Sequence, residues 1–149
     1  MKSWLDTLSD EPLMSNISTI ALSGMNAAAR RLEVSASNVA NVMSTGALPN
    51  ADGTVPAGAP RAYAPLELVQ TASADGGTQT TVTTATPSTT AVYDPQAPFA
   101  NQSGLVAAPN VDLAREMIGQ MIASYSFAAN AKVMKADDRM TKALLDIMA

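Results

Sequence analysis

The segment LEVSASNVANVMSTG, Leu32–Gly46, combines apolar residues at helical spacing with polar side chains that disfavour helices. A ligand or catalytic site, the last turns of a surface helix, or a polar seam between helices would each explain this combination. In the seam interpretation, Asn38 and Asn41 stand three residues apart on one helix face. Their amides then hydrogen-bond to neighbouring helices and fix the register, as a buried Asn does in a coiled coil. A serine nucleophile is disfavoured because the chain has no His to activate it.

The helical pattern extends outward from this segment and predicts a first helix over residues 15–43. Ser15, Asn16 or Ser18 can cap its start, and Gly46 follows its end as a stop signal. One face carries residues that recur every three or four positions, namely Ile17, Ala21, Gly24, Ala28, Leu32, Ser35, Val39 and Val42.

A second helical pattern predicts a helix over residues 112–147, with Asn110 or Asp112 as its N-cap. The most direct way to bury the apolar stripes of the two helices is against each other, as an antiparallel coiled-coil-like pair. Small residues such as Gly24 and Ala128 let such helices approach closely but bury little area. We therefore expect apolar surface to remain for further neighbours, and the chain ends to become ordered in an assembly. The stripe of the second helix consists of Ile118, Ile122, Tyr125, Ala129, Val133, Ala136, Met140, Leu144 and Ile147.

The middle of the chain holds most of the Pro and Gly residues and many Thr, which predicts a small β-rich region. The predicted parts are a loop over 48–60, strands over 63–71, 78–86 and 91–93, and a turn over 74–77. The fold class is mainly α with a small β insertion. Its predicted domains are an N-terminal extension or export region (1–14), a helical inner domain (15–46 and 110–149) and a β-rich outer insertion domain (47–109).

The composition of these 149 residues excludes several functions. Without Cys or His the chain lacks thiol nucleophiles, the commonest general base and the commonest metal ligands, so we expect no catalytic, cofactor or metal site. A net charge of −4 disfavours nucleic acid as a partner. No cleavable signal peptide and no run of about 20 apolar residues is present, so we expect a soluble protein without a direct membrane span. The pair Asp137-Asp138 is interpreted as a solvated or intersubunit salt-bridge face.

Two blocks of this sequence resemble a known family. MSNISTIALSGMNAAARRLEVSASNVANVMSTG, residues 14–46, resembles the N-terminal segment of bacterial flagellar axial proteins, with S-N-x-A-N at Ser37–Asn41 and with Thr45-Gly46 where that family has T-x-G. Residues 1–13 precede the usual start of that family, as an extension or as a start-site choice, and Ala47 replaces a frequent aromatic. The second block is similar to proximal-rod subunits of the FlgC type through Tyr93-Asp94-Pro95, Pro98-Phe99-Ala100, Gly104-Leu105-Val106, Pro109-Asn110-Val111-Asp112, Glu116-Met117, Met121-Ile122, Ser124-Tyr125 and Ala128-Ala129-Asn130.

The resemblance implies a structural subunit of the flagellar basal-body rod. Such subunits leave the cytoplasm unfolded through the flagellar type III export apparatus, without signal cleavage. They then stack helically with copies of themselves and other rod subunits, and transmit torque across the periplasm. No cofactor and no small-molecule substrate is implied.

Thirteen residues are predicted to form subunit interfaces, and Asn130 is the expected intramolecular or intersubunit counterpart of Asn38 and Asn41. Three alternatives stay open at this point: a subunit of a related type III secretion inner rod or needle, a stand-alone helical-hairpin interaction protein, and a hydrolase using Asp137 and Asp138. The predicted interface residues are Ile17, Gly24, Leu32, Ser37, Asn38, Val39, Asn41, Met117, Met121, Tyr125, Asn130, Met140 and Leu144.

Overall fold

The computed structural model describes residues 13–148, and side chains from residue 16 onward. Two long helices pack against each other with a small β region between them in the sequence, which confirms the fold class at this level. Residues 1–12, most of the predicted N-terminal extension, lie outside the described residues. The elements are α1 (Leu13–Ala40), β1 (Leu66–Ala72), β2 (Thr78–Thr84), β3 (Thr89–Tyr93), β4 (Leu105–Pro109) and α2 (Leu113–Met148).

The ends of the helices match the sequence prediction in one case and differ in another. Asp112 caps α2 as predicted, because its Oδ1 accepts a hydrogen bond from the Arg115 N–H at 3.1 Å. The predicted caps of the first helix are wrong, because α1 already begins at Leu13. Ser15, Asn16 and Ser18 therefore lie inside the helix, past the position of an N-cap.

The chain forms two compact units, each of which contains part of both helices. In the first unit, residues 13–30, 70–80 and 122–148, the helices run antiparallel. The Ser18 hydroxyl donates to Asp137 Oδ2, and a Cβ added to Gly24 would lie 2.7 Å from the Asn130 amide. Residue numbers thus rise along α1 as they fall along α2. The second unit consists of residues 31–69 and 81–121.

The predicted stripe of α1 is buried at its small and polar positions Ala21, Ala28 and Ser35, but the predicted stripe of α2 is exposed, so the prediction that the two stripes bury each other is wrong for α2. The buried residues of the helices are small or polar apart from Val34: Ala21, Ala27, Ala28, Ser35, Asn38, Ala123 and Asp137. Small side chains permit a close approach of helix axes, and large side chains do not fit between axes at that separation. The exposed large residues of the predicted stripes are Ile17, Leu32, Ile118, Ile122, Tyr125, Val133, Met140, Leu144 and Ile147.

The first two strands form a hairpin close to its predicted position. β1 and β2 make a two-stranded sheet, and the predicted turn carries Gly76 and Gly77 with φ of 86° and 81°. Within the first unit this turn packs on α1, where a Cβ on Gly77 would lie 2.4 Å from Ser23 Oγ. The Ser23 hydroxyl oxygen accepts the Thr78 N–H at 3.1 Å. Glycine is needed here both for the left-handed backbone and for the close approach.

The second sheet contains a strand that the sequence did not predict. β3 pairs with β4 in antiparallel register from Thr89 opposite Pro109 to Tyr93 opposite Leu105. β4 also carries Val106 and Ala107, which are among the most buried residues of the chain.

The predicted loop over 48–60 contains no helix or strand. The Thr54 hydroxyl donates to Asp52 Oδ1 at 2.6 Å, and this bond, with that of the Thr54 N–H, holds the pKa of Asp52 below its ordinary value. Among the described residues, no helix has the length and apolar character that crossing a membrane would require.

Candidate functional site

Asn38 lies at the centre of a buried hydrogen-bond cluster in the second unit. The residue is 2% exposed, and its amide uses both donors and both acceptor positions. Nδ2 donates to the Leu66 carbonyl at 2.9 Å and to Glu116 Oε1 at 2.7 Å. Oδ1 accepts the Leu66 N–H at 2.9 Å and the Tyr63 hydroxyl at 3.1 Å. The amide is therefore fully satisfied inside the chain, as a buried polar group requires.

The Asn38 amide replaces a neighbouring strand for Leu66. It offers one donor and one acceptor to the backbone of that residue, which is what an adjacent β-strand would offer. Leu66 is the first residue of β1. The side chain of a helical residue thus fixes where the hairpin begins.

Two serine hydroxyls complete this Asn38 cluster, which we define as Ser35, Ser37, Asn38, Tyr63, Leu66 and Glu116. Ser37 Oγ and Tyr63 Oη lie 3.0 Å apart, and because the Tyr63 hydroxyl donates to Asn38, Ser37 is the donor in this pair. The Ser35 hydroxyl donates to the Glu116 carbonyl at 3.1 Å. α1, the start of β1 and the first turn of α2 are joined by side-chain hydrogen bonds.

Glu116 suits this cluster electrostatically. It is the acidic residue in the first turn of α2, where the helix dipole favours a negative charge. Its carboxylate also accepts a hydrogen bond from Asn38 Nδ2.

Asn41 and Asn130 have other partners. Asn41 follows the end of α1, and its N–H and Nδ2 both donate to the Ser37 carbonyl, at 3.1 and 2.9 Å. It therefore caps its own helix. In the first unit, Asn130 lies against Gly24, and its Nδ2 donates to the Ser126 carbonyl at 2.8 Å.

Gly46, interpreted from sequence as a stop signal, is a point of close backbone approach. Its N–H and carbonyl both bond to Ala107 of β4 at 2.9 Å. A Cβ at this position would lie 2.2 Å from the Ala62 nitrogen, a backbone atom that cannot move aside alone. Any side chain at residue 46 would therefore force the backbone of residues 60–62 away.

The interpretation of Asp137-Asp138 as one solvated face is wrong. Asp138 is exposed, but Asp137 is 4% exposed and faces α1, where the Ser18 hydroxyl is its hydrogen-bond donor. Asp137 Oδ1 has no hydrogen-bond partner among the described residues. Adjacent helical residues point in different directions, so the two carboxylates do not converge on one substrate. Within the described residues, no three acidic side chains form a group that would hold a metal ion.

The predicted interface residues divide by exposure into two groups. Asn38 is buried, and Gly24, Ser37, Val39, Asn41 and Asn130 are half-buried. The seven exposed ones are large, and Tyr125 is 77% exposed. Their assignment to contacts between subunits stays a prediction. The seven are Ile17, Leu32, Met117, Met121, Tyr125, Met140 and Leu144.

Sequence reasoning missed Tyr63, Leu66 and Glu116 as partners of Asn38. The partners lie 25, 28 and 78 residues away along the chain, and no local pattern links them. One weak signal existed, since Glu116 falls in the first turn of a predicted helix, where a carboxylate is favoured.

Two family models match the ends of the chain. One, described as flagella basal body rod protein, matches residues 19–47. The other, described as flagellar basal body rod FlgEFG protein C-terminal, matches residues 102–147. The matched segments include most of α1 with Gly46, and almost all of α2.

Curated relatives match most of the chain. It is 38% identical over 123 residues to the flagellar basal-body rod protein FlgC of Escherichia coli, with 80% of this chain and 86% of the relative covered. The same values hold for FlgC of Salmonella typhimurium. FlgC of Yersinia enterocolitica is 34% identical over 137 residues, covering 87% of this chain and 91% of the relative.

Proposed function

We propose that this chain, which belongs to the FlgC family of flagellar basal-body rod proteins, stacks helically with copies of itself and other rod subunits to form the proximal rod. In this role it transmits torque across the periplasm through contacts between helices. Its work is mechanical, and we expect no catalytic activity from it.

The observation that carries the proposal is the set of large apolar side chains left exposed on α1 and α2. Ile118, Ile122 and Tyr125 lie on one stripe of α2 and are each about half or more exposed. A contiguous exposed apolar surface of this kind marks a contact site in a folded protein. Burial of these side chains between subunits would supply association free energy that the chain does not use internally.

The buried Asn38 cluster has a different role in this proposal. The Asn38 cluster joins α1, β1 and the first turn of α2 within the second unit, which also carries Ile118 of the exposed stripe. Torque transmission requires such internal rigidity, because a subunit that deforms dissipates the applied force. Export through the flagellar type III apparatus without signal cleavage is part of the proposal, with folding following export.

A matched pair of neighbouring substitutions on α2 tests the proposal. Tyr125→Glu places a charge in the exposed stripe, and Ser124→Glu places the same charge on an adjacent exposed residue outside it. Each variant is expressed in a strain that lacks the gene. We expect Tyr125→Glu to abolish swimming and rod assembly, and Ser124→Glu to retain both.

Density maps of isolated basal bodies supply the positional test. We expect this chain in the part of the rod nearest the inner membrane, with Tyr125 between subunits. Equal swimming of both Glu variants would reject the stripe as an interface. A deletion strain that swims normally but no longer secretes effector proteins would instead identify a related type III secretion inner rod or needle.

A further inference from the structure

The C-terminal end of α2 exposes a second apolar surface, which has no cover from the described residues. We define this α2-end surface as Met140, Leu144, Leu145, Ile147 and Met148. Leu145 is 60% exposed and Met148 is 84% exposed. The preceding turns of α2 face α1 with small or polar residues, so the character of the helix changes here.

The register of the first unit identifies which part of the chain lies opposite this surface. Ala123, Asn130 and Asp137 follow one another at intervals of seven, and the next position in that series is Leu144. Ser18 meets Asp137 and Gly24 meets Asn130, so the residue numbers of facing pairs add to 155 or 154. By the same sums Leu13, the first described residue of α1, lies opposite residue 141 or 142, beside the α2-end surface.

The sequence before α1 has the composition to cover an apolar surface. Its twelve residues, MKSWLDTLSDEP, include Trp4, Leu5 and Leu8. Fully extended they span at most about 40 Å, whereas the nine residues from Met140 to Met148 cover about 13 Å of helix. The segment is joined to α1 at Leu13, beside the surface, so it has ample reach.

The charges of residues 1–12 also complement those near the α2-end surface. The segment carries three acidic residues, Asp6, Asp10 and Glu11, against one Lys. The same part of α2 exposes three basic side chains, Lys135, Arg139 and Lys142, against two acidic ones, Asp138 and Asp146. Opposite charges that flank an apolar contact favour this pairing and its orientation.

We propose that residues 1–12 bind the α2-end surface of their own chain through Trp4, Leu5 and Leu8. Attachment at Leu13 gives the segment an effective concentration on the order of millimolar at this surface. Five side chains bury much less than the ~800 Å² per partner of a stable complex, so a second copy would bind this surface weakly by itself. The inference concerns the isolated chain and does not depend on rod assembly.

The chain is well suited to a direct test because Trp4 is its single tryptophan. The fluorescence of the full chain is compared in three forms at low protein concentration: unchanged, Leu145→Asp, and Ile118→Asp as a control on the same helix. We expect Leu145→Asp to shift the emission of Trp4 to longer wavelength and to increase its quenching by acrylamide. The ratio of bound to free segment should fall about tenfold, because full burial of a leucine is worth at least one factor of ten. Ile118→Asp should leave emission and quenching unchanged.

Disulfide formation gives a second measurement, since the chain has no natural cysteine. In Leu8→Cys/Leu144→Cys we expect rapid intramolecular crosslinking, and in Leu8→Cys/Ser124→Cys we expect little. Equal emission in all three forms, or equal crosslinking in both pairs, would overturn the proposal. Emission that depends on protein concentration would assign the surface to a second copy. Rapid amide exchange along the last two turns of α2 would show that the surface does not form in the isolated chain, which also rejects the proposal.

Discussion

The buried and exposed faces of the two helices differ in the size and polarity of their side chains. The buried face uses alanine, glycine, serine, asparagine and aspartate, whereas isoleucine, leucine, methionine and tyrosine remain exposed. Close approach and hydrogen bonds therefore hold the chain together, and most of its large apolar side chains are left for contacts outside it. The usual assignment of large apolar residues to the interior does not hold for this helix pair.

The largest effect is expected at Asn38. Asn38→Leu keeps the number and branching of the side-chain heavy atoms but leaves the Leu66 backbone, the Tyr63 hydroxyl and the Glu116 carboxylate without their partner. We expect the free energy of unfolding to fall by about 3–5 kcal/mol, since each unsatisfied buried group costs 1–3 kcal/mol. Chemical denaturation measures the change.

Asn41→Leu is the matched control for this substitution. The Asn41 side chain makes only local hydrogen bonds, to the Ser37 carbonyl and from the Ser44 hydroxyl, so its loss should cost about 1 kcal/mol. If Asn41→Leu destabilised the chain as much as Asn38→Leu, the distinction between a buried cluster and a local cap would be wrong.

Two adjacent residues of α2 give the clearest contrast between the faces. Ala123 is buried and Ile122 is exposed. Ala123→Leu should destabilise the fold by about 1–3 kcal/mol although it adds apolar area, because the narrow space between the helices is overpacked. Ile122→Ser should change stability by less than about 0.5 kcal/mol although it removes apolar area. Thermal unfolding measures both changes. A larger loss of stability for Ile122→Ser than for Ala123→Leu would contradict the assignment of the two faces.

A smaller effect is expected where Ser18 meets Asp137. Ser18→Ala removes the hydrogen-bond donor of a buried carboxyl group whose other oxygen is already unpartnered. We expect a loss of about 1–2 kcal/mol. Replacement of both Ser18 and Asp137 by alanine should recover much of that loss, because neither alanine side chain has a polar atom that needs a hydrogen-bond partner. Unfolding of the single and double variants in a thermodynamic cycle measures this coupling.

A small net effect from two opposing contributions is expected for Gly24→Ala. The added Cβ would lie 2.7 Å from the Asn130 amide, but alanine favours a helix over glycine by about 1 kcal/mol, so the two contributions oppose each other. We expect a loss of about 1 kcal/mol. Combining it with Asn130→Ala should relieve the clash and reveal the gain in helix propensity. Additive effects of the two substitutions would show that residues 24 and 130 are not in contact.

Local patterns predicted the elements well. The first helix was expected over 15–43 and is Leu13–Ala40, and the second was expected over 112–147 and is Leu113–Met148. These boundaries follow from the spacing of apolar residues and, for α2, from its Asp112 cap, which are local features of the sequence. The turn at Gly76-Gly77 was predictable for the same reason.

Long-range geometry was not predictable from the same patterns. Asn38 was correctly expected to hydrogen-bond a neighbouring helix, as it does through Glu116. Its contacts with Tyr63 and Leu66 depend on how segments distant in the sequence pack together. The spacing of residues along α1 carries no information on that packing. β4 was missed because LVAAP has no alternation of apolar and polar residues, and its pairing with β3 needs the eleven-residue connection between Tyr93 and Leu105.

The small residues that line the interior also set how stability varies with temperature. Unfolding normally raises the heat capacity by about 12–15 cal/mol/K per residue, mainly because apolar groups become hydrated. Alanine, glycine and amide groups contribute little to that increase, and the large apolar side chains of these helices are already hydrated in the folded chain. A calorimeter should therefore record a lower heat-capacity increment for this chain, with a flatter stability curve and weak cold denaturation.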